Sequence, residues 1–296
     1  MTQATPKKPY RTLDLKPDPG EMIKPAETVD IIGTEPLTLE DRRVFNRLVA
    51  NAHGPNMGEI GREFKIPIAE LRATHKGNER VAESIERLMK TVVRHRVGNT
   101  VRRFQLLGGN DMEDTDRTHG FLTYSFDRRL VELLESSTMF AKLELAVIAA
   151  FQSKYALALY EHVARRINMR FKFMQDYTVE EIREILGVPD GKLTAFGSLK
   201  QRALDPAITE VNGLADFSVA IGCKRTGKKI THVTMSWWWK DREGRAAVRA
   251  ELGRVKMGRR ERIRGITETV MEFDTSGNKI ERKAVAERDL CDDIPL

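Results

Sequence analysis

Ser198, Lys200, Gln201 and Arg202 lie in the run FGSLKQRALDPAITEVN, residues 196–212, where Leu199, Ala203, Ala207 and Val211 recur at helical spacing. A helix that buries this stripe turns its ammonium, carboxamide and guanidinium groups outward. Those groups can bond guanine or adenine edges in a DNA major groove, which admits one helix. Ser198 precedes them, where a hydroxyl and a helix N-terminus can meet a phosphate. A solvated helix face is the competing reading of the same charges. Pro206 removes a backbone donor, so a helix here must kink or break.

A second basic group, Lys224, Arg225, Lys228 and Lys229, flanks Thr226-Gly227 between the strand-like runs FSVAIGCKR and KITHVTMSW. Compact positive charge on a hairpin tip suits phosphate contact, which adds affinity without reading sequence, although an ordinary charged turn has the same composition. Within it GCKRTGKK satisfies the GxxxxGK spacing of a phosphate-binding loop. The Ser/Thr that would hold magnesium is replaced by Lys229 and strands rather than a helix follow, so nucleotide binding is not expected. Arg94, His95, Arg96, Arg102 and Arg103 form a similar basic hairpin around Gly98-Asn99, facing either phosphates or solvent.

Nothing else in the sequence forms a chemical constellation. The histidines (His53, His75, His95, His119, His162, His232) are scattered without metal-ligand spacing, and no tyrosine sits beside a metal-binding pair of the kind a DNA-nicking enzyme needs. We therefore expect no catalytic residues, no metal and no cofactor, and a protein that is not an enzyme. Trp237, Trp238 and Trp239 end a strand; alternation sends Trp237 and Trp239 to one face and Trp238 to the other, for core or interdomain packing or for stacking on unpaired bases.

The elements that position the basic groups follow from periodicity. Ala156, Leu159, Val163 and Ile167 mark one helix; Thr178, with Glu181 three residues on, caps a second that ends at Gly187 before Pro189. Residues 196–212 are the third helix, and two strands follow. Three helices and a basic hairpin make a winged helix. The first half repeats the order: TLEDRRVFNRLVANA, capped by Thr38 and burying Val44, Phe45 and Leu48; a short helix over Met57–Phe64; a helix starting at IPIAELRATH; NERVAESIERLMKT with its stripe Val81, Ile85, Leu88, Met89; then the hairpin. GNDMEDTDRTHG reads as a loop, FLTYSF as a strand and DRRLVELLES as a helix. The expected class is α+β, two tandem winged-helix domains. We place a disordered arm at 1–35, the first domain at 36–138, the second at 139–240 and a tail at 241–296. The apolar run Leu143–Phe151 is expected to pack between the domains.

The net charge of +7 favours a polyanionic partner. From Lys240 to Arg264 there are ten Lys/Arg against four Asp/Glu, whereas Ile266 to Leu296 has four basic and eight acidic residues. The basic stretch either adds nonspecific affinity or is a solvated helix, and the acidic end is kept from DNA. Two distant cysteines, Cys223 and Cys291, argue against a disulfide framework and fit a reducing cytoplasm. No apolar run is long enough for a membrane span, and the first 20 residues lack a secretory signal's apolar core.

Ala158-Leu159-Tyr160-Glu161, Thr178-Val179-Glu180-Glu181-Ile182-Arg183 with Leu186-Gly187, and Leu199-Lys200 leading to Pro206-Ala207-Ile208 and Glu210-Val211-Asn212 occur in an order and spacing that is fairly specific. Lys154 to Asn212 thereby resembles the carboxyl-terminal winged helix of the iteron-binding plasmid replication initiators of the RepA/RepE class. A weaker resemblance over residues 37–138 extends the match to about two thirds of the chain. The family accepts a proline within the third helix, which implies that the helix continues through Pro206. The resemblance also implies binding of repeated origin sites in double-stranded DNA, origin opening, and recruitment of the host initiator ATPase and replicative helicase. It further implies a monomer–dimer equilibrium in which the first domain dimerises and dimers repress the chain's own gene from an inverted operator. A winged-helix repressor without origin function is the alternative, and a bacterial cytoplasmic, plasmid-associated location is expected.

Overall fold

A computed structural model describes residues 10–29, 37–72, 79–97, 99–113, 120–169, 171–265, 268–273 and 279–284. The first departure from expectation comes at once. Residues 10–29 lie within the arm expected to be disordered, yet they carry a 3-10 turn (Thr12–Asp14), strand β1 (Glu21–Pro25) and a single helical turn α1 (Ala26–Val29). Leu13, Met22, Ile23 and even Lys24 are buried. Their partner is distant in sequence: β1 pairs antiparallel with β7 (Phe140–Glu144), Met22 opposite Leu143 and Lys24 opposite Ala141. Composition alone hid this because the few apolar residues among the prolines and lysines act only once β7 is present.

In the first domain α2 (Leu39–Ala52) starts on the expected Thr38 cap, which proves to be a full capping box: Asp41 N–H donates to Thr38 Oγ1 at 3.1 Å and Thr38 N–H to Asp41 Oδ2 at 2.8 Å. Val44, Phe45 and Leu48 are buried. Then come β2 (Phe64–Pro67), the one-turn α3 (Ile68–Leu71), α4 (Glu79–Lys90), the hairpin β3 (Val92–Val97) and β4 (Thr100–Gln105), β5 (Asn110–Met112), β6 (Phe121–Tyr124) and α5 (Arg128–Glu135). Three expectations change. Met57–Phe64 is not a helix: only Pro55–Gly58 makes a 3-10 turn, and Phe64 opens a strand. The helix expected from IPIAELRATH is a single turn. Part of the expected loop, Asn110–Met112, is an edge strand beside β6, in a sheet ordered β2-β6-β5, while the β3–β4 hairpin stands apart from it. Residues 114–119 of that loop lie outside the described residues.

After β7, α6 (Leu145–Ala150) carries part of the apolar run to the second domain. There α7 (Lys154–Ala164), β8 (Met174–Thr178), α8 (Val179–Leu186), α9 (Phe196–Leu199), α10 (Asp205–Leu214), β9 (Phe217–Thr226) and β10 (Lys229–Trp239) follow, with α7 packed on α8 and α10 and the sheet ordered β8-β10-β9. Thr178 and Glu181 make the capping box of α8, and Gly187 closes it in the left-handed conformation at φ 64°. In the tail, where a solvated helix was one of the two expected readings of the basic stretch, α11 (Arg242–Gly253) and α12 (Arg259–Ile263) follow, and then the hairpin β11 (Glu268–Phe273) and β12 (Lys279–Ala284), which was not expected. Ile263 lies so close to Gly213 that a Cβ on Gly213 would approach it to 2.4 Å, so the tail packs directly on α10. No helix among the described residues is long and apolar enough to cross a membrane.

Strand β1 and helices α2 and α7 meet around a buried carboxylate. Glu161 on α7 receives Lys24 Nζ from β1 at 2.9 Å and Asn46 Nδ2 from α2 at 2.7 Å, with Arg42 NH1 at 3.8 Å. From the same face of α2, Arg43 donates to the carbonyls of Ile148, Ala149 and Phe151, the last two placed at and beyond the end of α6.

Candidate nucleic-acid interface

The third helix of the second domain is continuous from Phe196 to Leu214, but it is not uniformly α-helical. Between α9 and α10 the segment Lys200–Leu204 is a π turn, in which Asp205 N–H bonds the carbonyl of Lys200, five residues back. Pro206 explains the turn. It lacks an N–H, and in an α-helix its ring would press on the carbonyl of Arg202; one extra residue in the turn relieves both problems. The helix therefore passes through Pro206, as the resemblance implied, by a device that periodicity does not show. Leu199, Ala203, Ala207 and Val211 are fully buried.

Within this turn Gln201 and Arg202 are exposed, and Ser198 and Lys200 are half-buried. Lys200 is committed: its Nζ lies 2.9 and 2.7 Å from the two carboxylate oxygens of Asp205. In an α-helix residues five apart stand about 140° apart around the axis; the π turn brings them together. Arg202 has no ion-pair partner among the described residues.

The helix is aimed by the loop before it. Arg183 on α8 donates through NH1 to the carbonyl of Leu193 at 2.6 Å, and through NH2 to those of Lys192 at 2.6 Å and Pro189 at 3.3 Å. Leu193 has φ 49°, a left-handed conformation costly for a branched residue. At the other end Lys240 Nζ bonds the carbonyls of Asn212 and Ala215, the latter at 2.8 Å, and so satisfies the terminal acceptors of α10. Burial pushes the Lys240 ammonium down to about 8, with Asp216 opposing the shift.

In the wing, Thr226 faces Lys229 across a two-residue loop of Gly227 and Lys228, one position later than the expected Thr226-Gly227 turn. Gly227 takes φ 61°, which a tight hairpin needs at its first loop position. Lys224, Arg225, Lys228 and Lys229 are all exposed. Lys224 is tied to Asp176 on β8 at 2.5 Å, and that hydrogen bond, with a second from Thr234, holds the Asp176 carboxyl below the usual range. The tip charges without an ion-pair partner among the described residues are thus Arg225, Lys228 and Lys229. Sequence reasoning missed Arg183, Asp205, Asp176 and Lys240. Only Asp205 left a trace, in its place next to Pro206.

In the first domain Arg94 and Arg103 are exposed on the β3–β4 hairpin, opposite each other in register. Arg102 is half-buried, with Glu132 of α5 at 3.8 Å. The side chains of His95 and Arg96 lie outside the described residues. Trp237 is buried and its indole N–H donates to the carbonyl of Lys172 at 3.1 Å. Trp239, expected on that same inward face, is half exposed and touches Phe217 edge-on at the end of the sheet. Trp238 is exposed as well. Among the described residues no group of His, Cys, Asp or Glu has the arrangement to hold a metal ion.

This geometry can be compared with known proteins. The family model described as "Initiator Replication protein, WH1" matches residues 24–164, and "Initiator Rep protein, WH2" matches residues 178–237, together about two thirds of the chain. No curated protein sequence gives a significant match. The chain is similar in fold to the crystal structure of the Pi initiator protein in complex with iteron DNA, at TM-score 0.55 and 19% identity, covering 75% of this chain and 98% of that one. It is also aligned with domains 2 and 3 of RctB at TM-score 0.40 and 9% identity, over 73% of this chain and 85% of that one. With both winged-helix models matched in order along one chain, this protein belongs to the initiator replication protein family, built from two tandem winged-helix domains.

Proposed function

We propose that the chain is a plasmid replication initiator that binds directly repeated origin sites in double-stranded DNA. The second winged helix, residues 139–240, reads bases with Gln201 and Arg202, with Ser198 and Lys200 beside them. Arg225, Lys228 and Lys229 of the wing grip the backbone, and Lys224 braces the wing. The first, residues 36–138, adds backbone contact through Arg94, Arg96, Arg102 and Arg103 and carries the dimer interface. On origin repeats the protein helps open the duplex and recruits the host initiator ATPase and replicative helicase; as a dimer on an inverted operator it represses its own gene. The observation that carries the DNA reading is the π turn itself, which sets Gln201 and Arg202 outward on a helix whose entry and exit are pinned by Arg183 and Lys240. The Pi initiator, similar in fold, is seen in complex with iteron DNA, which supports this reading.

The test is footprinting of the purified full chain on DNA flanking its gene, over a range of protein concentrations. Protection of several direct repeats beside an A·T-rich tract is expected. Protection confined to one inverted repeat over the promoter would leave a repressor without origin function.

A further inference from the structure

The exposed side of the third helix carries an anion as well as cations. Asp205 is about half exposed, as is Lys200, and the two form a bidentate pair across the π turn. A carboxylate on a surface that meets phosphates costs affinity, so its presence needs a reason. Two effects follow from its position. It occupies Lys200, so that this ammonium is not offered to every passing phosphate. It also repels DNA that does not supply a partner for it, such as the amino group of a cytosine edge. Selectivity is a difference of affinities, and lowering the binding of wrong sites raises it as surely as improving the right one.

We propose that Asp205 is a specificity-determining residue: by holding Lys200 through the π turn it suppresses binding to non-cognate DNA and leaves base reading to Gln201 and Arg202. The inference rests on the DNA-binding reading above. It differs from the sequence-level view, in which Lys200 bonds a base edge beside Gln201 and Arg202.

The experiment compares the full chain with Asp205→Asn, Asp205→Ser and the double variant Lys200→Ala/Asp205→Asn. Binding to a footprinted site and to a scrambled duplex is measured by fluorescence anisotropy across a salt series. Both single variants are expected to bind the scrambled duplex about tenfold tighter, with a salt slope steeper by about one unit as the released ammonium displaces one more counterion. Cognate affinity should rise less, so the ratio between the two sites falls. In the double variant the added slope should disappear. Unchanged scrambled-site affinity and slope in both single variants would overturn the proposal. A gain that persists in full in the double variant would overturn the role of Lys200. If the wild type binds no duplex, the DNA-binding reading falls first, which separates the two failures.

Discussion

Arg202 and Lys228 differ in what their surroundings allow. Arg202 projects from the third helix with no ion-pair partner among the described residues, the condition for a bidentate contact to a guanine edge. Lys228 sits at a two-residue hairpin tip, where a flexible ammonium meets a phosphate of any sequence. Arg202→Ala should therefore cost about 1–3 kcal/mol on cognate sites and little on random DNA. Lys228→Ala should weaken both about equally and lower the salt slope by about one unit. Titration of the two variants on cognate and random duplexes separates these roles. Equal losses for Arg202→Ala on both duplexes would make it a backbone contact. At this scale the sequence showed where cations cluster but not which are spoken for. Lys200 and Lys224 look like their neighbours in the sequence, and only folding brings Asp205 and Asp176 to them.

At the scale of elements, the second domain's helices and hairpin were legible because their signals are local. Thr178 and Glu181 are three residues apart, Gly187 stops the helix, and Leu199, Ala203, Ala207 and Val211 form a stripe. The short pieces were not. The strands β1 and β2 exist because β7 and β6 pair with them, and no window of sequence around them contains the partner. The loop from Gly187 to Ala195 shows the same limit. Its shape depends on three hydrogen bonds from Arg183, a residue that on periodicity alone is an exposed charge on α8. Losing them would leave the left-handed Leu193 without the contacts that hold it, and the third helix would lose its fixed angle. Arg183→Ala is accordingly expected to weaken cognate binding about tenfold, about 1.4 kcal/mol. Random-duplex affinity and its salt slope should stay near wild type, since the cations that make them remain. A uniform loss on both duplexes would mean that Arg183 itself touches phosphate.

The whole molecule depends on a junction among elements far apart in the chain. Lys24 from β1 and Arg42 and Asn46 from α2 close around Glu161 of α7. The site is out of reach of water. Burial lowers the affinity of both Lys24 and Arg42 for their protons, and Glu161 opposes the shift in each. Two cations share one anion, so the carboxylate is the member the cluster can least lose. Removing one partner of a buried ion pair typically costs about 3–5 kcal/mol, because the remaining charge is left without compensation. Glu161→Ala strands two such charges and should fall at the upper end of that range. Lys24→Met still leaves Glu161 with Asn46 and Arg42 and should cost less. Lys24 lies in the amino-terminal segment and Glu161 on α7, which packs on α8 and α10, so losing the carboxylate should uncouple the two winged helices as well as destabilise them. Urea unfolding followed by tryptophan fluorescence tests this directly, since Trp237, Trp238 and Trp239 all lie in the second domain. The circular-dichroism signal reports both domains. In the wild type the two probes should give one coincident transition. In Glu161→Ala the fluorescence and circular-dichroism midpoints should separate, whereas coincident curves shifted together would show that the domains are held by their apolar contacts and that the buried carboxylate contributes only stability.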